Sequence, residues 1–364
     1  MPTPPAPADT TGIRPPRAAA GPVPRPPRAR PRPLPLLAAL GTGAALTLES
    51  VVNGRLGTGI RPVPAAAFSD VLSLLVMVCV APLLPGLRPA FRRIRPALRD
   101  RRLRPWHLMG GVAGGCMVLT QAAVAAELGP ALYALALVSG QTLAGLLVDH
   151  YGLGPGGPLS VSVRRGLGAA LTVVAVVAPV VLEPGDRGTV WLAAVPFLAG
   201  VGLSLQMAAN GRTDEVAGNA YPSVILSFLT GAVILLLALA ADLAAHGAPA
   251  DWPGNPLDYT GGTLGVIVVL GSVLVVRRIG VLAAGLGMIA GQVASSVLLG
   301  AVLHTGAAQG WVTAASAALL LAAVTLASTG ERGSTPVSSA PSPSPFPSSS
   351  FSSAATDPSE KGSL

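Results

Sequence analysis

The sequence predicts an all-α integral membrane protein of ten transmembrane helices, arranged as two inverted five-helix repeats. Three observations predict it. Only 11% of the 364 residues are charged and the mean hydropathy is +0.62, whereas a soluble chain carries about 25% charged residues. Apolar runs of about 20 residues, enough to cross a bilayer core of about 30 Å as helices, recur from residue 34 to residue 328. Two short polar motifs also occur twice, in the same order.

Residues 1–33 form a Pro/Arg/Ala tail without apolar periodicity. Such a segment buries too little surface to offset the entropy of ordering, so it reads as disordered. It is too long and proline-rich for a signal peptide, and no small-residue cleavage site follows. The spans of the first repeat (34–183) fall near 34–53, 65–85, 106–126, 130–149 and 165–182. Those of the second repeat (189–328) fall near 189–209, 220–242, 259–277, 280–303 and 309–328. Gly/Pro connectors at 151–163 and 183–188 separate spans. Glu49 interrupts the first span, and the eighth and ninth spans are split at Arg277–Gly280. Residues 329–364 form a second tail, rich in Ser and Pro, that also reads as disordered.

Charge sets the orientation. The net charge is +8 with an isoelectric point near 10.6, a value that invites a nucleic-acid partner. The basic residues instead gather in the N-terminal tail and in 88–104, beside apolar spans and without interleaved aromatics. That is the positive-inside pattern of a membrane protein, so no nucleic-acid partner is expected. Loop 86–105 then faces the cytoplasm, and both termini with it. Cys79 and Cys116 each sit in an apolar run with no histidine or second cysteine at ligand spacing, so neither a metal nor a cofactor is expected.

The duplication is read from Leu46-Thr-Leu-Glu-Ser-Val-Val-Asn-Gly-Arg55 and Leu203-Ser-Leu-Gln-Met-Ala-Ala-Asn-Gly-Arg212. Further on, Leu128-Gly129 and Ser139-Gly-Gln141 match Ile279-Gly280 and Ala290-Gly-Gln292. Each repeat holds five spans, an odd number, so the second inserts upside down relative to the first. Transporters built this way hold substrate near the midplane, between the halves.

At these motifs the sequence resembles the drug/metabolite transporter superfamily, in its YdcZ-like inner-membrane exporter branch. Asn53-Gly-Arg-Leu-Gly57, Val138-Ser-Gly-Gln-Thr-Leu-Ala-Gly-Leu-Leu-Val-Asp-His-Tyr-Gly152, Asn210-Gly-Arg212, Leu226-Ser-Phe-Leu-Thr-Gly231 and Gly291-Gln292 carry the likeness, over residues 36–328. The resemblance implies ten helices, inverted repeats and export of a small solute from a bacterial cytoplasm. Three positions depart from its pattern. Glu49 stands where the family has Gln, as at Gln206. Asp70 replaces the aromatic residue of Ser227-Phe228, and the second repeat lacks Asp-His-Tyr-Gly.

Polar groups inside spans are the site candidates. Gln141 and Gln292 fall mid-span beside Gly140 and Gly291. They read either as cavity lining on the central axis or as interhelical hydrogen-bonding glue. Glu49 and Asn53 share a helix face, as do Gln206 and Asn210, each pair being four residues apart. Asn53, Gln206 and Asn210 therefore join the substrate-cavity candidates. An acid at mid-span costs about 2.5–3.5 kcal/mol, which makes Glu49 a functional candidate for proton coupling. Its other reading is an acid near the outer third of its span that pairs with Arg55 or Arg61. Asp70 is its companion acid, with a structural role as the alternative. The paired glycines Gly110, Gly111, Gly114 and Gly115, and likewise Gly261, Gly262 and Gly265, predict close helix packing. The apolar fifth and tenth spans are expected at the periphery, where a homodimer has room to form.

Function follows by inventory. No H-E-x-x-H or G-x-S-x-G pattern is present, so an enzyme is not expected. Without a P-loop, ATP drive would need another subunit. The reading is a secondary exporter of a small metabolite or drug-like solute, acting by alternating access, with proton coupling as an option and a non-transporting membrane scaffold or accessory subunit as the alternative.

Overall fold

The computed structural model describes residues 33–154, 157–158, 163–182, 191–279, 281–303 and 311–329. Both expected tails lie outside these residues, apart from Pro33 and Thr329 at their borders, as do the connector 183–188 and part of 151–163. The long helices are α1 (Pro33–Ile60), α2 (Pro62–Val80), α3 (Leu87–Arg99), α4 (Gly111–His150) and α5 (Val163–Leu182). They continue as α6 (Ala194–Ala217), α7 (Tyr221–His246), α8 (Gly261–Ile279), α9 (Val281–Leu303) and α10 (Trp311–Thr329). No strand occurs among the described residues.

Glu49 does not interrupt α1, which runs unbroken to Ile60. Arg61, with φ +91°, and the two prolines that open α2 then turn the chain back. Helix α8 ends at Ile279 and α9 begins at Val281; Gly280, where the sequence places the end of the break between the eighth and ninth spans, lies outside the described residues.

The 40 residues of α4 would extend about 60 Å if straight, twice a bilayer core. They do not run straight. Gly129 has φ 75° and ψ 161°, a conformation open to glycine but strained for other residues, and Pro130 follows it. The two limbs fold back on each other there, so that Thr120 Oγ1 and Tyr133 Oη lie 3.0 Å apart. Counted with α4 as two limbs and α3 set aside, the described residues hold ten membrane segments, five in each repeat. Five stretches among the described residues, the α4 hairpin being one, are long and apolar enough on their own to cross a membrane.

The tenfold arrangement is built by exchange between halves. A side-chain carbon at Gly43 would collide with Met288 O and Gln292 N, and one at Gly200 with Leu137 O and Gln141 N. Gly291 abuts Leu40 O in the same way that Gly140 abuts Phe197 O. Thr47 Oγ1 donates to Gln292 O at 3.0 Å and Ser204 Oγ to Gln141 O at 2.6 Å. These contacts between halves thus recur with the halves swapped. A surface that pairs with itself in this manner is related by a two-fold axis. The first helix of each half lies on the fourth of the other.

The third helices follow the same rule. The α4 first limb packs its glycines on the second repeat, with Gly110 at Asn210, Gly111 at Ser227 O and Gly114 at Gln206. Helix α8 packs Gly261 at Asn53, Gly262 at Ser69 O and Gly265 at Glu49. The glycines singled out in the sequence are the places where these backbones meet. Helices α5 and α10, the fifth spans of their halves, pack on each other and against α4, and α9 meets α10.

Between α2 and α4 stands α3, a short helix where the sequence reads only an Arg-dense loop. Its Ala90, Ile94 and Ala97 are buried against Leu103 and Ala217, and its arginines lie mainly on the opposite face.

Candidate functional site

Polar groups inside the spans cluster in two places related by the repeat. In the first, α1 presents Glu49, Ser50 and Asn53 toward α2, α8 and the first limb of α4. All three are buried. Asn53 is the hub of a hydrogen-bond chain. Its Nδ2 donates to Gln121 Oε1 at 2.7 Å, Ser69 Oγ donates to its Oδ1 at 2.6 Å, and Gln121 Nε2 donates to Ser50 Oγ at 3.1 Å. Three helices are joined by one asparagine, because a buried amide left without partners inside a membrane is costly.

The acids sit beside this chain. Glu49 is 6% exposed and Asp70 4% exposed, and Glu49 lies within electrostatic reach of Asp70. Glu49 Oε1 and Ser73 Oγ both face Gly265 of α8, and Ser73 Oγ donates to Gly262 O at 2.9 Å. Asp70 lies against Gly231 of α7, and its Oδ2 is buried without a hydrogen-bond partner. Neither arginine expected beside Glu49 reaches it. Arg55 Nε pairs with Asp258 Oδ1 at 3.2 Å and Arg61 with Asp242 Oδ2 at 3.1 Å.

The second place is the repeat-related groove between α6 and the first limb of α4. It encloses about 610 Å³. Gly110, Ala113, Cys116 and Thr120 form one wall, and Leu198, Gly202, Leu205 and Gln206 the other. The walls are almost wholly apolar, and Leu198 and Leu205 are exposed at its rim. Gln206 Oε1 is buried without a hydrogen-bond partner. Asn210 accepts from Ser227 Oγ at 3.1 Å, the counterpart of the Ser69–Asn53 bond. Gln206 therefore occupies in this half the place that Glu49 occupies in the other, and Phe228 the place of Asp70.

Gln141 and Gln292 are set apart, each on a different pair of helices. Gln141 is partly buried, with Nε2 3.7 Å from Met207 Sδ on α6. Gln292 is 4% exposed, on α9 against α1. Tyr133 was not singled out by the sequence, yet it is bonded to the groove wall and lies near the first cluster's acid. It is 1% exposed, shares a hydrogen bond with Thr120 of the groove wall, and lies within electrostatic reach of Glu49. A tyrosine in an apolar run three residues after Pro130, one of only four in the chain, was the available signal. Among the described residues no cluster of three or more metal-binding side chains occurs.

An all-helical membrane protein of two repeats, with each half completing the other, is the architecture of solute carriers of the inverted-repeat kind. A family model matches the chain twice, over residues 34–178 and 191–326, and that family is described as "Putative inner membrane exporter, YdcZ". The chain belongs to this family, and the two matched regions are its two repeats. No curated protein matches it. One crystal structure of a protein shares 19% identity with it, covering 82% of this chain and 96% of that one, with a TM-score of 0.50, a likeness of fold.

Proposed function

We propose that the protein is a secondary transporter that exports a small solute by alternating access between its halves. The observation that carries this reading is the exchange of contacts between repeats. Rocking about the two-fold axis would close a passage at one membrane face while opening it at the other, around a fixed site. The solute site is the groove at Gln206, with Asn210 beside it, and Gln141 and Gln292 stand at the two matching crossings of α4 with α6 and α9 with α1. Asn53 holds its three helices together.

Proton coupling belongs to the first half. Glu49 and Asp70 are carboxyl groups able to take up and release a proton, and the Tyr133 hydroxyl, bonded to Thr120 of the groove wall, lies within electrostatic reach of Glu49. The excess of basic residues in the N-terminal tail and in 86–105 supports a cytoplasmic location for both termini.

The test is an unbiased comparison of metabolites exported by cells that carry or lack the protein. Gln206→Ala and the double substitution of Gln141 and Gln292 by Ala are run in parallel. The reading expects at least one solute whose export depends on the protein and falls about tenfold in the Gln206 variant, the loss of one or two hydrogen bonds. Export unchanged by deletion and by every variant would favour a membrane scaffold.

A further inference from the structure

Helix α3 carries a surface that the transport reading leaves unused. Its apolar face is consumed inside the protein, where Ala90, Ile94 and Ala97 pack against Leu103 and Ala217. Arg93, itself exposed, is engaged by the protein: its guanidinium donates to Ala217 O, at the C-terminus of α6, at 3.1 Å. The remaining face shows Arg88, Arg92, Arg95 and Arg99, all exposed. Their spacing of four, three and four puts them in one stripe along the helix.

The fold does not require this charge. Residues 86–105 contain eight arginines and one acid, Asp100, whereas the equivalent connection of the second repeat, 247–260, has no basic residue and carries Asp251 and Asp258. Orientation by positive charge asks for an excess of basic residues on one side. It does not ask that they be aligned on a rigid helix. The stripe is also at the right depth for headgroups. Helix α3 packs on the end of α6 and near the start of α7, and Trp106, 41% exposed, follows it as interfacial tryptophans do. A surface hollow of about 600 Å³ is lined by Arg92, Arg95 and Arg99 together with Phe91, Pro96 and one acid, Asp100. Guanidinium forks match phosphate oxygens two at a time.

We propose that α3 is a docking platform for anionic phospholipids, which place their headgroup phosphates along the Arg88–Arg92–Arg95–Arg99 stripe. Lipid is favoured over nucleic acid because the stripe is only about 16 Å long and lies at the level where headgroups are the concentrated anion. The platform would fix the cytoplasmic ends of α6 and α7 to the leaflet. This inference is independent of what the protein carries.

The experiment uses the full-length protein extracted with phosphatidylglycerol and phosphatidylcholine in equal amounts, with retained lipids counted by native mass spectrometry. Wild type should retain phosphatidylglycerol preferentially. Replacing all four stripe arginines by Gln should reduce that preference about tenfold or more, since each cation near an anionic surface is worth about fivefold. Replacement by Lys should keep a large part of it. Arg93→Gln should lower the melting temperature and leave the lipid ratio unchanged. Raising salt to about 0.5 M should release the bound lipid, a readout that does not depend on any variant folding. The proposal is overturned if wild type shows no preference, if salt releases nothing, or if the Gln variant retains the wild-type ratio. Displacement of the lipid by millimolar glycerol phosphate would equally overturn it, since the site would then take a soluble phosphate.

Discussion

Gly41 and Gly43 lie two residues apart on α1 and meet different surroundings. A methyl group at Gly41 would find open space, whereas one at Gly43 would strike the backbone of Met288 and Gln292. Gly43→Ala should therefore cost about 1–3 kcal/mol through forced separation of α1 and α9. Gly41→Ala should be neutral or stabilising by up to about 1 kcal/mol. Thermal unfolding in detergent separates the two. Asn53→Ala strands Gln121 and Ser69 together, and a loss of about 1–3 kcal/mol is expected in the same assay. Tyr133→Phe keeps the packing and removes only the hydroxyl, so gradient-driven flux should fall while the melting temperature moves little. The polar residues within spans were legible from the sequence because the apolar background makes them stand out. Their partners were not. Arg55 and Arg61 are the basic residues nearest to Glu49 in the chain, yet they pair with Asp258 and Asp242. Which acid faces which arginine depends on helices from the opposite half.

At the scale of elements, the α4 hairpin depends on one glycine. Gly129→Ala forces a side chain into φ 75°, ψ 161°, and a loss of about 1–3 kcal/mol should appear as a lower melting temperature. The position was legible as a repeat-matched Leu-Gly pair, and the reversal there explains why two predicted spans share one helical run. Helix α3 was missed as a helix because eight arginines dominate the segment. The periodicity of Ala90, Ile94 and Ala97 was present in the sequence, at three- and four-residue spacing. The ion pairs Arg55–Asp258 and Arg61–Asp242 each tie the first half to the second, and both lie at the membrane face opposite to α3. Asp242→Asn should loosen that end. The expected result is faster modification of a cysteine placed at Leu239, on the wall of the neighbouring apolar hollow.

For the whole molecule, the duplication was readable from motif order, while the exchange of contacts required the structure. Sequence identity between repeats fixes which residues correspond but says nothing of whether a helix packs within its own half or on the other. Here the first helix of each half leans on the third and fourth of its partner, so neither half has a complete interior alone. Expressed as two chains divided between residues 186 and 187, the halves should copurify and regain function, and either alone should be degraded. The asymmetry is equally a property of the whole, because the acids Glu49 and Asp70 have only Gln206 and Phe228 opposite them. The most direct test is proton movement in proteoliposomes under an imposed pH gradient, read by an enclosed pH-sensitive dye in the presence of an exported solute. Solute-dependent proton flux is expected in the wild type, with its loss in Glu49→Gln and its retention when a carboxylate is restored as Glu49→Asp. Flux of equal size in Glu49→Gln, or none in the wild type with a solute shown to be exported, would contradict proton coupling at Glu49.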